Sequence, residues 1–399
     1  MKLSVQARNA IYIGSLCSVS YLAVYIARNV LSAVTPQMVE RGYTEEYIGG
    51  VSSLFLILYA CGQLINGMIG DKIKAKWMIC IGLLGAGAAN LLFSLMTDLP
   101  FAAMAVYGTA GFFLSMIYGP MTKVVSENTL PIHATRCSLG YTFASFLGSP
   151  AAGLLASFLA WQSVFAVGSG VMFVTSVVGF LLFSVFERRG IVKYGAYKPK
   201  EKGSGNIKVL LKHRIVKFSF ISIITGMIRT SVVFWLPTYI SQYLGFSSED
   251  SAKVFTAVTF VICFTAFIAV FIYERLGRDM HKTILLLFFC SAVFFCLTYF
   301  VHSTIPNIVF IVLAIMSSNG AATMLWSTYC PSLRDTGMVS SATGFLDFLS
   351  YTAAAVANIV FANAANTIGW GKLILVWLAI AVFGVIVALP YDRLRKKEN

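Results

Sequence analysis

The chain is 399 residues long, 58% hydrophobic and only 12% charged, with a formal net charge of +14. Soluble globular proteins carry about 25% charged residues, so this composition excludes an ordinary water-soluble domain. What remains is a polytopic membrane protein, in which helices satisfy the backbone hydrogen bonds internally.

Apolar windows long enough to cross roughly 30 Å of hydrocarbon recur along the whole length. In chain order they predict twelve spans, at about 9–34, 45–69, 77–97, 101–123, 137–160, 164–186, 215–243, 250–273, 282–302, 306–329, 338–363 and 372–391. Turn signals such as Asp98-Leu99-Pro100, Thr304-Ile305-Pro306 and Gly369-Trp370-Gly371 separate them. Residues Met1 to Arg8 are short and polar, and the first apolar run is too long for a signal-peptide core, so no cleavable leader is expected. The expected fold is all-α: an N-terminal six-helix bundle over 1–186, a hydrated linker over 187–214 rich in Lys and Gly, and a C-terminal six-helix bundle over 215–399.

Lysine and arginine set the expected orientation. Apart from Arg28 and Arg229, only Arg41, Lys253 and Lys372 fall on one side; all other basic residues fall on the side of the termini and the linker. The positive-inside rule puts that side in the cytoplasm, and a bacterial inner membrane fits the very short outer loops. The net charge is therefore a topology signal and not a nucleic-acid footprint. Eight scattered cysteines without paired spacing argue against structural disulfides and metal sites.

In span one, Tyr21, Tyr25 and Arg28 share one helical face. Pro36 and then Gly42-Tyr43-Thr44 follow. Span seven repeats the pattern: Ser222, Thr225 and Arg229 lie on nearly one face, followed by Pro237 and Gly245-Phe246-Ser247. Each arginine stands eight residues before its proline. An intramembrane guanidinium costs at least ~2.5 kcal/mol on insertion scales and marks a functional site by default. Two at repeat-related positions predict a two-sided clamp for an anion, since the planar fork matches phosphate or carboxylate oxygens. The plainer alternative is that the arginines pair with Asp347 or cap carbonyls.

Other polar residues in the spans are few. Gln63 and Asn66 lie in span two; Thr142, Ser145 and Ser149 on one face of span five; Asn319, Thr323 and Ser327 on one face of span ten. Such residues serve as interhelical glue more often than as substrate contacts. Ser145 and Asn319 are the candidates for contact. Asp347 is the acid expected well inside a span, with Thr343, Ser350 and Tyr351 near its face. It is a candidate proton-coupling group, the alternative being a fixed counter-ion. No phosphate-binding glycine loop, paired catalytic carboxylates or nucleophile-histidine set occurs. The expectation is a transporter without enzymatic activity or cofactor, driven by gradients or exchange.

Parallel six-helix halves around a midplane site describe major facilitator transporters. The run Gly67-x-x-Gly70-Asp71-Lys72-x-Lys74 resembles that superfamily's loop motif, and Glu274-Arg275 with Gly277-Arg278 echoes it after span eight. The resemblance implies a gating role for Gly67, Asp71, Lys72, Arg275 and Arg278, where charge alone would read as a positive-inside turn. The run Tyr21-x3-Tyr25-x-x-Arg28-x7-Pro36, with Arg229-x7-Pro237-Thr238-Tyr239, resembles the organophosphate:phosphate antiporters, which include glycerol-3-phosphate and hexose-6-phosphate transporters. That resemblance implies phosphate coordination by Arg28 and Arg229, helped by Tyr21 and Tyr25, with Tyr351 in a span that also looks similar. The chain departs from the family at Gln63, Ser145, Gly226 and Asp347, which favours a singly charged anion. A proton-coupled sugar-acid symporter and a transporter-like sensor of sugar phosphate are the alternatives. The expected partners are a small anionic substrate, phosphate or a proton as coupling ion, and the lipid bilayer around a monomer.

Overall fold

The computed structural model describes residues 4–70, 73–96, 98–194, 207–333 and 339–390. Within them, eleven helical stretches are long and apolar enough to cross a membrane, and the last, Ala342–Ala388, is 47 residues. It belongs to a helical run, Val339–Ala388, that is interrupted at Gly369 with φ 79° and ψ 161°. The break divides it into spans 11 and 12, at the Gly369-Trp370-Gly371 signal.

The first half is built of helices Val5–Glu40, Glu45–Gly70, Ala75–Leu95, Pro100–Asn128, the pair Pro131–Phe146 and Gly148–Ala156, and Trp161–Arg188. These are spans 1 to 6, span 5 being stepped at Leu147. A short helix, Ile207–Lys212, precedes span 7. Span 7 consists of Ile215–Gly226, a π-helical turn Met227–Val232, and Val233–Gln242. Span 8 is Ser248–Ile262 followed by Thr265–Arg275, and span 9 is Met280–Phe300. Span 10 joins Thr304–Met324 to a second π-helical turn, Leu325–Tyr329, and Cys330–Ser332.

The repeat noted in the sequence has a local structural cause. Gly42 and Gly245 both take left-handed backbone angles, with φ of 94° and 78°, which a side chain would oppose. The hydroxyl two residues later then caps the next helix. Thr44 Oγ1 accepts from the Tyr47 amide at 3.2 Å, and Ser247 Oγ from the Asp250 amide at 3.1 Å.

By contacts the chain divides into two compact units: residues 1–199 with 240–260, and residues 200–239 with 261–399. In the first unit, spans 2 and 4, 3 and 4, and 3 and 6 pack closely, and span 1 lies on spans 5 and 6. The segment 240–260 is held there by acidic groups. Glu40 accepts from the Ser248 hydroxyl at 2.8 Å and amide at 3.3 Å, and Glu45 accepts from Gln242 at 2.6 Å. In the second unit, spans 9 and 10, 7 and 11, and 9 and 12 form the main packing pairs.

Candidate functional site

In the first unit, the uninterrupted helix of span 1 holds Tyr21, Tyr25 and Arg28 on one face. The Arg28 guanidinium lies over the Tyr25 ring, 5.5 Å from its centroid, and over the Tyr59 ring of span 2 at 5.1 Å. Two aromatic faces attract the cation. Tyr21 continues the cluster, 4.9 Å from Tyr25, 5.5 Å from Tyr118 and 6.0 Å from Tyr141 between ring centroids. Tyr21 and Tyr141 are buried. Sequence reasoning missed Tyr59 and Tyr141. Tyr59 stands one turn before Gln63, a residue already singled out, so the shared face was the available signal.

Ser145 is buried, and its hydroxyl donates to the Thr142 carbonyl at 2.6 Å in its own helix. Asn66 donates to the Ser115 hydroxyl at 2.6 Å, joining spans 2 and 4. That is the glue role.

In the second unit, spans 7 and 11 are zipped along a defined register. Ser222 donates to the Leu346 carbonyl at 2.6 Å, and Ser231 donates to the Ala354 carbonyl at 2.8 Å. Between them Gly226 lies so close to span 11 that an added Cβ would stand 2.8 Å from the Ser350 Cα. Both numberings rise together, so the spans run parallel. The intervals on span 7 are four and then five residues, against four and four on span 11. The π-helical turn supplies the surplus residue, worth roughly 100° of rotation at 3.6 residues per turn.

At uniform α-helical pitch Arg229 would share the face of Ser222 and Thr225. Ser222 faces the seam with span 11, Thr225 donates to the Ile221 carbonyl at 2.8 Å, and Arg229 lies inside the π-helical turn, where that pitch does not hold. Asp347 and Tyr351, each one residue past Leu346 and Ser350 and four residues apart, share one face of span 11.

Asp347 is half-buried and within electrostatic range of Cys330, whose thiol is hydrogen-bonded with Thr343. Tyr351 is buried. Asn319 of span 10 is buried too, and its side-chain oxygen has no hydrogen-bond partner among the described residues. A buried amide oxygen in that state is suited to a donor brought by a ligand.

Of the gating-loop residues, Asp71 and Lys72 lie outside the described residues, and Gly67 falls in the span 2 helix. Arg275 and Arg278 are exposed. Arg275 lies over the Phe271 ring at 5.1 Å, and the Arg278 amide donates to the Tyr273 carbonyl at 2.9 Å, closing the end of span 8. Among the described residues no cluster of His, Cys, Asp or Glu could hold a metal ion.

The profile of the Major Facilitator Superfamily matches residues 17–358. The glycerol-3-phosphate transporter of Bacillus subtilis (strain 168) is 21% identical over 427 residues, covering 100% of this chain and 94% of that protein. The phosphoglycerate transporter protein of Salmonella typhimurium is 23% identical over 92% of this chain and 84% of its own length. A bacterial homologue of the human lysosomal transporter Spinster, in an inward-facing and unoccupied conformation, superposes with a TM-score of 0.73 at 11% identity, covering 95% of this chain and 96% of that one.

Proposed function

This chain belongs to the Major Facilitator Superfamily, and on that premise we propose that it carries a small phosphate-bearing organic anion, such as glycerol phosphate or a sugar phosphate, by alternating access. It is a multi-pass membrane transporter. The observation that carries the substrate class is the pair of repeat-related intramembrane arginines, with Arg28 braced between the Tyr25 and Tyr59 rings. A guanidinium held over aromatic rings presents a planar fork that matches an oxyanion bidentately. Arg28 and Arg229 bind the phosphoryl oxygens, with Tyr21 and Tyr25 completing the first half-site, and Tyr351 and Asn319 the second. Ser145 contributes only an acceptor, because its proton is engaged by its own helix. The relatives matched along most of their length, a glycerol-3-phosphate transporter and a phosphoglycerate transporter, support the same class. The carrier works as a monomer in a bacterial inner membrane, with both termini cytoplasmic.

Uptake into proteoliposomes tests this reading. Glycerol-3-phosphate and glucose-6-phosphate are expected to enter, and hexuronates and lactate to be excluded. Entry of the carboxylates alone would overturn the phosphate assignment.

A second reading concerns coupling and rests on Asp347, an acid inside span 11 that shares a face with Tyr351 and could carry a proton through the cycle. Anion and proton then load together as symport. Uptake driven by an inward proton gradient without internal phosphate supports symport; uptake that requires internal phosphate supports exchange.

A further inference from the structure

Within the second unit, the ends of spans 7, 9 and 12 nearest the linker meet at a pocket lined by Arg214, Lys217, Asp279, His281 and Lys282, among others. The cations converge by construction. Arg214 precedes span 7 in a left-handed conformation, φ 60°, and is exposed. The Lys217 ammonium donates to the Ala388 and Leu389 carbonyls at 2.9 and 3.1 Å, which ties span 7 to the end of span 12. Lys282 begins span 9 and is exposed, 3.5 Å from an Asp279 oxygen.

Asp279 is itself engaged at the start of span 9. Its other carboxylate oxygen accepts the His281 and Lys282 amides at 3.0 and 3.1 Å, capping span 9. Burial pushes this carboxyl up, but the capping amides and the Lys282 ammonium outweigh it and hold it below the usual carboxylate range. Among the described lining residues, one engaged carboxylate thus stands beside three basic side chains.

Below the pocket the same helices present apolar stripes. On span 9, Lys282 is followed on one face by Leu286, Phe289 and Val293, all exposed. Spans 7 and 12 present Phe220 and Phe383, both exposed and in edge contact at 6.0 Å between ring centroids. A cationic mouth over apolar stripes, at the end of membrane-spanning helices, has the polarity of one lipid molecule.

We propose that this pocket binds the phosphate of an anionic phospholipid, with its acyl chains along the stripes of spans 7, 9 and 12. Basic pockets between membrane helices favour anionic head groups, and a guanidinium with two ammonium groups supplies charge-assisted bonds to phosphate oxygens. A zwitterionic head group would bring its own ammonium against Lys282 and is disfavoured. The site differs from the proposed substrate site, which draws on Arg229, and stands whether or not that reading holds.

Native mass spectrometry of the full chain tests the proposal, after equilibration in micelles holding equal phosphatidylglycerol and phosphatidylethanolamine. The wild type retains phosphatidylglycerol preferentially. An Arg214→Gln/Lys282→Gln double variant loses that retention by about fivefold for each cation removed, while the charge-conserving Arg214→Lys/Lys282→Arg variant and a Lys372→Gln control keep it. Equal retention of the two lipids by the wild type overturns the proposal, and this arm needs no variant to fold. Undiminished retention by the double variant also overturns it. Displacement of phosphatidylglycerol by millimolar inorganic phosphate would make the pocket a soluble-anion site and overturn the lipid assignment.

Discussion

At the residue scale, the arginines and their neighbours differ in what a substitution removes. Arg28→Ala takes away a fork and leaves the Tyr25 and Tyr59 rings without the cation they hold. Hydrogen bonds to charged groups are worth roughly 1.5–3 kcal/mol, so Arg28→Ala and Arg229→Ala are each expected to weaken anion affinity about tenfold to a hundredfold. Lysine is expected to rescue poorly, because it restores charge without the planar fork. Affinity measured by substrate-induced thermal shift checks both, and wild-type affinity in either alanine variant contradicts the assignment. Asn307 behaves differently. It is fully buried, accepts the Tyr239 hydroxyl, and donates to the Thr298 and Val301 carbonyls at 2.9 and 2.8 Å. Asn307→Ala strands three polar groups, each costing about 1–3 kcal/mol when buried unsatisfied. The expected outcome is a clear fall in melting temperature with substrate affinity unchanged. Nothing in the sequence distinguished Asn307, because its partners lie on two other elements. Arg28 and Arg229 were legible, since a charge inside an apolar run announces itself.

At the element scale, the register of spans 7 and 11 depends on Gly226. Any Cβ there meets span 11 backbone, which has no rotamer to yield. Gly226→Ala is expected to cost about 1–3 kcal/mol, as overpacking does, and to impair transport with it. Melting temperature and uptake, measured together, check this, and an unchanged melting temperature would show that the seam is looser than described. The glycine-aromatic-hydroxyl repeats were legible because each position has its own local cause: a left-handed turn at Gly42 and Gly245, and a cap at Thr44 and Ser247. The π-helical turns were not, for the surplus residue in 227–232 is detectable only against the fixed partners on span 11. Periodicity assumes a constant pitch, and the π-helical turn departs from it within the stretch that holds Arg229. The step at Leu147 in span 5 did carry a signal, since the Pro150 ring opposes the Phe146 carbonyl four residues before it, whereas the step near Cys263-Phe264 in span 8 has no proline beside it.

At the scale of the whole molecule, the twelve-span pattern was legible from hydropathy alone, because each span had to reach across the same thickness of hydrocarbon. Only Gly369 shows that spans 11 and 12 are joined by a single-residue break in an otherwise continuous run. The transport cycle gives Asp347 its sharpest prediction. Asp347→Asn resembles the protonated acid. It is expected to keep anion binding and lose the rise in uptake on acidifying the outside. Proteoliposome uptake at fixed inside pH, with outside pH varied across the acidic range, checks it. An Asn variant that concentrates substrate like the wild type removes the residue from coupling and leaves exchange as the mechanism.

The surplus residue of span 7 amounts to a dislocation in an otherwise regular lattice. Ser222 and Ser231 pin the lattice on either side, so the extra residue is trapped between them, and Arg229 lies within the trapped stretch. Freed from the Ser231 bond to Ala354, the defect could migrate along the helix one residue at a time. Each hop would exchange one hydrogen bond for another and swing the intervening side chains by roughly 100°. Arg229 thus stands on a segment of helix whose phase is set by two serine hydroxyls, and Ser231→Ala would loosen its aim without touching it.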